Sequence, residues 1–396
     1  MRIIYNIFIF FYRIGIRVYS LFNEKANEIV ISQKKLLKDI YSETKGEKNI
    51  VWFHSSSLGE YEQGKSVMLL YKEKNPTHKI LLTFYSPSGY NIIRNNTIAD
   101  WVFYMPHDTK KNATFIADKI KPIKAIFIKY EFWYNYIQEL YKHKIPIYFI
   151  SSIFRDDQYF FKIYGRWFSK QLQKVNCFFV QDIESSKLLE SINIYQTKVT
   201  GDSRFDTVLS NSTEKITEED IELFINNQKI IVAGSTWGKD LQILKDSKIT
   251  SEYKLIIAPH ELNHLEEILK LENSILLSNL KKKDSSKYQV LIIDKIGILS
   301  KIYRYADIAY IGGGFGKGIH NTLEAVVYKV PVLFGPNYHK FREPKELISL
   351  GIAQSINCSE DFLKAVKHFE ITNIKEISTN YINSKKGSAH KITESI

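Results

Sequence analysis

The chain has 396 residues, 44% hydrophobic and 25% charged, and 55 lysines and arginines against 43 aspartates and glutamates give a formal net charge of +12. This composition excludes a disordered chain, a fibrous repeat and a polytopic membrane protein; two cysteines, Cys177 and Cys358, are too few for a disulfide framework or a structural zinc site. The length suits two or three domains, the cysteine usage a reducing, cytosolic compartment, and the basic balance an anionic partner: a membrane face, a phosphorylated substrate or a nucleic acid.

The N-terminus reads MRIIYNIFIFFYRIGIRVYSLF. Its apolar core, 7–12, is too short for a spanning helix, while Arg13 and Arg17, four apart, share one helical face. Residues 1–22 are therefore expected to form a membrane-associated helix lying in the interface, aromatic side down, with arginines on anionic headgroups. The alternatives are a first helix packed on the protein's own core and a secretory signal. The signal lacks a small-residue cleavage site, and arginines follow its apolar run.

A polar helix is expected near 27–43. Candidate strands follow at 50–54, 80–84, 101–104, 125–129, 145–150 and 177–180, then again at 230–233, 254–258, 290–294, 306–311 and 330–334. Segments long enough for helices separate them, the rhythm of parallel α/β units. Between the two series, 211–220 is polar and strand-free, part of an interdomain connection starting near Asp206. The predicted fold is α/β: two Rossmann-like, doubly wound domains facing across a cleft. Their spans are 23–205 and 206–396, with the last helix able to pack back on the N-terminal domain. The run 281–287 reads as a solvated loop, and no solenoid period is present.

In the first half, strand 50–54 leads into Ser55, Ser56, Ser57, Leu58, Gly59 and Glu60. A carboxylate at a strand's end suits a general base; the bland alternative is a helix-terminus carboxylate favoured by the dipole. Glu131, in KYEFWYN beside Trp133, reads as a partly desolvated carboxylate or as a surface residue at a helix start. Arg204, in GDSRFD, suits a phosphate or carboxylate, or a salt bridge to Asp202 or Asp206.

In the second half, ADIAYIGGGFGKGIHNTLEAVVYKVPVLFGP carries the strongest signal. A buried strand runs into Gly312, Gly313 and Gly314, then a loop with Gly316, Lys317 and Gly318. Asn321 is expected to open a helix, with Glu324 at capping-box spacing. Glycines permit close backbone approach and a helix N-terminus favours anions, with Lys317 and His320 adding charge. A glycine-rich turn with an ordinary cap is the other reading. The spacing is neither a Walker motif nor a dinucleotide fingerprint. GSTW (Gly234, Ser235, Thr236, Trp237), APHE (Ala258, Pro259, His260, Glu261) and DKIGIL with Gly297 end three further strands, where ligands of open α/β sheets collect.

These motifs, in this order, resemble the Kdo transferases (3-deoxy-D-manno-octulosonic acid transferases, glycosyltransferase family 30), over nearly the whole chain to about Gly351. The pieces that carry it are HSSSLGE, KYEFWYN, GDSRFD, GSTW, APHE and GIHNTLEA with PVLFGP. The resemblance implies a two-domain GT-B fold and inverting transfer of Kdo from CMP-Kdo to a lipid A precursor. The setting it implies is lipopolysaccharide core biosynthesis, at the cytoplasmic face of the Gram-negative inner membrane. Glu60 falls on the family's catalytic base, and Glu131 and Arg204 on positions assigned to transition-state stabilisation. Ser235, Thr236, Pro259, His260, Ile296, Gly297, Ile298, Gly313, Gly314, Lys317, His320, Asn321, Thr322, Leu323 and Glu324 fall in segments expected to hold the donor nucleotide, Glu324 through its ribose. CMP-Kdo is a co-substrate, so no cofactor is expected, and no tightly bound metal, since a single phosphate leaves and no Asp-x-Asp cluster is apparent. The expected partners are CMP-Kdo, the lipid A precursor and the inner membrane through residues 1–22, with no nucleic acid.

The chain departs from the family's pattern in places. Lys129 replaces a Glu, Tyr134 a Pro, Pro259 an Arg, Ile298 an acid, Ile319 a Gly and Arg204 a Lys, which marks a divergent branch. Two rival readings are a sugar-nucleotide epimerase of the same architecture, which needs no membrane segment, and a basic nucleic-acid-binding protein, for which no zinc-finger, RNP or basic heptad pattern exists.

Overall fold

The computed structural model describes residues 1–95, 97–213, 219–262, 265–280 and 287–396. All but one residue of the basic run 281–287, and 214–218 of the expected connection, lie outside the described residues. Residues 1–207 together with 385–396 form one compact unit, and residues 208–384 form a second. Each is a parallel-sheet α/β domain, the architecture of a GT-B fold.

The first unit holds β1 (Ile50–Ser55), β2 (Lys79–Phe84), β3 (Trp101–Tyr104), β4 (Lys124–Ile128), β5 (Ile147–Ser152), β6 (Cys177–Val180) and β7 (Thr197–Val199). They lie in the order β3-β2-β1-β4-β5-β6-β7, every neighbouring pair parallel. Parallel sheets are covered on both faces, so their strands are apolar runs rather than alternations. In β1, Ile50 and Trp52 enter one core cluster while Val51 and Phe53 enter the other. β4 repeats this, Ala125 and Phe127 on one side and Ile126 and Ile128 on the other.

The second unit holds β8 (Ile230–Thr236), β9 (Lys254–Pro259), β10 (Ser274–Leu276), β11 (Val290–Ile292), β12 (Ile308–Ile311), β13 (Val332–Phe334) and β14 (Ala353–Ser355). Their order is β10-β11-β9-β8-β12-β13-β14, again parallel throughout. The ends of β9, β8 and β12 are thus neighbours, which fixes where this unit's polar strand ends gather.

The N-terminal helix α1 (Arg2–Tyr19) uses its two faces differently. One face docks on the first unit. Arg2 pairs with Glu139 at 3.0 Å, Tyr5 donates to Asp108 at 2.5 Å, Asn6 accepts from Asn135 at 2.9 Å, and the Tyr12 and Tyr85 hydroxyls meet at 2.5 Å. The other face leaves Ile3, Ile4, Ile7, Phe8, Phe10, Phe11, Ile14 and Val18 exposed, Ile3 to 75%. Among the described residues no helix is long and apolar enough to cross a membrane.

The helix expected near 27–43 is two helices, α2 (Glu24–Ser32) and α3 (Leu36–Thr44). The break at Gln33 serves tertiary bonding: its side chain donates to the Met105 carbonyl and accepts from the His107 N–H, both at 3.1 Å. At the other terminus, the helix Ser388–Thr393 lies on α4 (Leu58–Lys74) and adds Ala389 and Ile392 to the core of the first unit. The Asp206 carboxylate clasps this segment, accepting from the Gly387 N–H at 2.6 Å and the Ala389 N–H at 2.9 Å. The chain leaves the first unit within the helix Arg204–Thr213.

Candidate functional site

Two clusters collect the residues singled out by the sequence, one in each unit. The first stands at the carboxyl ends of β1 and β4. His54, the Cα partner of Thr83 across β1 and β2, is wholly buried. With its proton on Nε2, a hydrogen-bond chain runs through it. Trp52 Nε1 donates to Thr83 Oγ1 at 2.8 Å, Thr83 Oγ1 to His54 Nδ1 at 2.9 Å, and His54 Nε2 to Glu131 Oε2 at 3.1 Å. Trp133 Nε1 donates to the same Glu131 oxygen at 2.8 Å. Glu131 is therefore neither on the surface nor at a helix start. It is 9% exposed, and the following helix begins only at Tyr134. Trp133 supplies a hydrogen bond as well as apolar cover, and Tyr85 packs on its ring at 5.2 Å between centroids.

Glu60 occupies the third position of α4 and accepts a hydrogen bond from Ser57 Oγ. That is a cap-like contact, and it coexists with partial exposure of the carboxylate. Lys129, at the end of β4 with φ of 68°, lies over the Tyr130 ring at 5.3 Å. Burial pushes its ammonium pKa down, as do the charges of Arg204 and Arg155, while Glu60 and Asp202 oppose the shift. Glu60 and Arg204 thus both lie within electrostatic reach of Lys129.

Arg204 also makes the alternative salt bridge: its Nε and Nη2 reach Asp202 Oδ2 at 2.9 and 2.5 Å. Asp206, the other candidate partner, is committed to the C-terminal segment instead. The loop before Arg204 and the helix that follows are fixed to α4, Ser66 Oγ donating to the Ser203 carbonyl at 3.2 Å and Thr207 Oγ1 to the Glu62 carbonyl at 2.8 Å. His54 and Thr83 were not singled out by sequence. The available signal was a histidine ending an otherwise apolar strand immediately before the serine turn.

The second cluster sits where β8, β9 and β12 end. Trp237, His260 and His320 form a stack, with centroids 4.6 Å apart for the first pair and 4.4 Å for the second. Trp237 Nε1 also reaches His320 Nε2 at 3.5 Å, so the three rings meet one another, and His260 remains exposed. Burial, together with His260, pushes the His320 pKa down to about 4. Asp240, which the sequence reading passed over, organises the floor. Its carboxylate accepts from the Trp237 N–H at 2.8 Å, the Gly313 N–H at 3.0 Å and the Tyr310 hydroxyl at 2.6 Å. The signal was its place three residues after Trp237, a capping-box spacing.

The glycines here are packing requirements. A Cβ on Gly234 would fall 1.9 Å from the Tyr303 hydroxyl, and one on Gly314 2.6 Å from Gly335. Gly313 adopts φ of 88°, the left-handed region. Among the described residues Thr236 Oγ1 is buried without a hydrogen-bond partner, and Ser235 beside it has φ of 54°. Lys317 is exposed at the tip of the glycine loop.

The expected helix opening at Asn321 is corrected. The helix is a single turn, Leu323–Val326, and Thr322 is its N-cap residue. Asn321 Oδ1 accepts from the Leu323 N–H at 3.1 Å, and Asn321 Nδ2 donates to Glu324 at 3.0 Å. A single turn sums few peptide dipoles, so the positive end expected there is weak. Ile296, Gly297 and Ile298 follow β11, two places from β8 in the sheet order, and Pro259 ends β9. Among the described residues no group of three or more His, Cys, Asp or Glu side chains is arranged to hold a metal ion.

Residues 32–207 match the family model described as 3-deoxy-D-manno-octulosonic-acid transferase (kdotransferase). A 3-deoxy-D-manno-octulosonic acid transferase of Chlamydia trachomatis is 27% identical over 350 residues, 82% of this chain and 80% of its own length. That of Aquifex aeolicus is 25% identical over 310 residues, 76% of this chain and 80% of its own. These matches support a Kdo transferase. The chain is, accordingly, a glycosyltransferase. A bifunctional glycosyltransferase/methyltransferase of Fusobacterium nucleatum is 29% identical over 90% of this chain, which spans only 58% of that relative's length. Among solved structures, a putative UDP-N-acetylglucosamine 2-epimerase from Listeria monocytogenes superposes with a TM-score of 0.60 at 12% identity, covering 87% of this chain and 95% of its own. The Neisseria meningitidis UDP-GlcNAc 2-epimerase gives 0.55 at 18% identity, covering 84% and 98%. At such identities the likeness is one of fold alone.

Proposed function

We propose that this Kdo transferase moves Kdo from CMP-Kdo to a lipid A precursor, with Glu60 as general base. The observation that carries the reading is the setting of Glu60. It is a partly exposed residue just past the end of β1, within electrostatic reach of Lys129, which Arg204 also reaches, in a family whose base falls at this position. A sugar hydroxyl is a poor nucleophile, and a positioned carboxylate that takes its proton as it attacks the anomeric carbon lowers the barrier. CMP leaves with the electron pair of the broken C–O bond, in a single inverting displacement. Lys129 and Arg204 favour anionic groups near Glu60, whether the Kdo carboxylate or the departing phosphate.

The nucleotide is assigned to the second unit. Supporting this are the close-packed glycine loop at Gly313 and Gly314, the exposed Lys317, the Thr236 hydroxyl, unpartnered among the described residues, and the ring cluster of Trp237, His260 and His320. Glu324, held by Asn321, is assigned to the ribose hydroxyls through charge-assisted hydrogen bonds. The one-turn helix at Thr322 shifts phosphate recognition toward loop N–H groups and Lys317. The exposed apolar face of α1 supports placing the protein on the cytoplasmic side of the inner membrane, with α1 in the interface.

Mass spectrometry of the product from CMP-Kdo and a tetraacylated lipid A precursor tests the reaction. Glu60→Gln is expected to bind CMP-Kdo normally and to transfer Kdo about 10²- to 10⁴-fold more slowly. Near-normal transfer by that variant would refute the base assignment, and a wild type that forms no Kdo adduct would refute the reaction.

A further inference from the structure

Arg13 and Arg17 of α1 do more than line a helix face. With Lys34 and Gln33, which follow α2, and with His107 and Asn112, they enclose a cavity of about 260 Å³. Its lining carries three cations and no carboxylate. Among the described residues none of the three cations has a salt-bridge partner. Glu28, the acid on the neighbouring face of α2, is occupied by Asn91 at 2.9 Å and Tyr104 at 3.4 Å. Like charges converging on one concavity repel, and an anion is what such a lining lacks.

The cavity is also built. His107 is 8% exposed, and among the described residues its ring nitrogens have no hydrogen-bond partner. Its backbone is fixed on both sides: its N–H donates to Gln33 Oε1 at 3.1 Å, and its carbonyl accepts from Asn112 Nδ2 at 2.9 Å. Burial, then Arg13 and Arg17, push its pKa down to about 4, so the imidazole is a neutral polar group in the cavity lining. An anion seated between the arginines gives that ring a partner. The volume holds a tetrahedral oxyanion and the first atoms of whatever it esterifies.

We propose that this cavity binds the phosphate group of a membrane lipid. The same helix that supplies Arg13 and Arg17 presents Ile7, Phe8, Phe11 and Ile14 to the outside, so the ligand fitting both is a phosphate with acyl chains attached. The proposal rests on the interfacial reading of α1 and goes beyond it by naming a discrete site. The phosphate comes either from bulk anionic phospholipid or from the phosphorylated acceptor lipid.

Flotation of the full chain with vesicles tests it, using phosphatidylcholine alone, with one-fifth phosphatidic acid, or with one-fifth of a phosphorylated lipid A precursor. Wild type is expected to bind at least one phosphate-bearing vesicle about tenfold more tightly than phosphatidylcholine alone. Arg13→Gln/Arg17→Gln is expected to lose that preference while keeping its residual binding, and Phe8→Ser/Phe11→Ser to lose binding to all three. Equal preference for both phosphate vesicles assigns the site to bulk lipid; preference for the precursor assigns it to the acceptor. A double-arginine variant that keeps the preference overturns the proposal.

Thermal protection by inorganic phosphate separates the site from the interfacial reading. Protection lost in the double-arginine variant supports the site even if no vesicle binds. No protection of wild type, together with no vesicle preference, overturns it.

Discussion

Glu131 is recognisable in the sequence as a candidate, but its partners are not. His54, Thr83 and Trp52 come from two other strands, and only the register of β1 against β2 and β4 brings them to one carboxylate. Trp133→Phe keeps the ring that Tyr85 covers and removes the N–H given to Glu131. A hydrogen bond to a charged group is worth about 1.5–3 kcal/mol, so Kdo transfer is expected to fall roughly 10- to 100-fold with little change in melting temperature. Steady-state assays beside a thermal scan check both halves of that expectation. His320 offers a second test. Its pKa is lower folded, about 4, than in the unfolded chain, near the ordinary histidine value of about 6.5. The unfolded state therefore takes up the proton first as pH falls. The stability His320 contributes is intact above about pH 6.5 and is lost on the way down to pH 4. Urea midpoints measured from pH 7 to 4.5 are expected to fall more steeply for wild type than for His320→Gln. His107, also near 4, and Asp108, pushed up to about 6 by burial, are common to both proteins and cancel in the difference.

Strands were legible in proportion to their burial. The central strands are continuous apolar runs and were placed to within a few residues, whereas β7, β10 and β14 were not anticipated. Each of these has three residues, and each stands at a sheet edge, where one neighbour and less cover remove the need for an apolar run. The split between α2 and α3 was hidden for another reason: Gln33 gives up helical continuity for bonds to Met105 and His107, far along the chain. The single turn after Thr322 shows the same limit, since a capping spacing signals a start but not a length. For α1, one face is packed on the first unit, and the other is the exposed apolar face on which the proposed interfacial seat rests. Deleting residues 1–22 therefore does two things. It removes the exposed apolar face, and it strips the Tyr5 hydroxyl from Asp108 and the Arg2 guanidinium from Glu139. A melting temperature lowered by about 5 °C or more is expected, readable by circular dichroism. An unchanged value would mean that those bonds contribute nothing.

For the molecule as a whole, the βα rhythm in two series was enough to yield two parallel-sheet domains, because a parallel strand needs a crossover and the crossovers are long. The division of labour proposed for the units rests on motifs alone, since sheet-end position turns a serine turn or a glycine run into candidate chemistry. One contact has a consequence for the history of the chain. Asp206 grips Gly387 and Ala389 just where the backbone departs from the first unit and where it returns. In topology the second unit is an insertion between two adjacent points of a host domain, as though spliced into a closed loop. A protein in which residues 208–384 are replaced by a short Gly-Ser bridge is expected to fold cooperatively. Residues 1–207 alone, lacking Ala389 and Ile392 against α4, are expected to be markedly less stable in urea. Equal midpoints for the two would show that the returning tail is ornamental to the host.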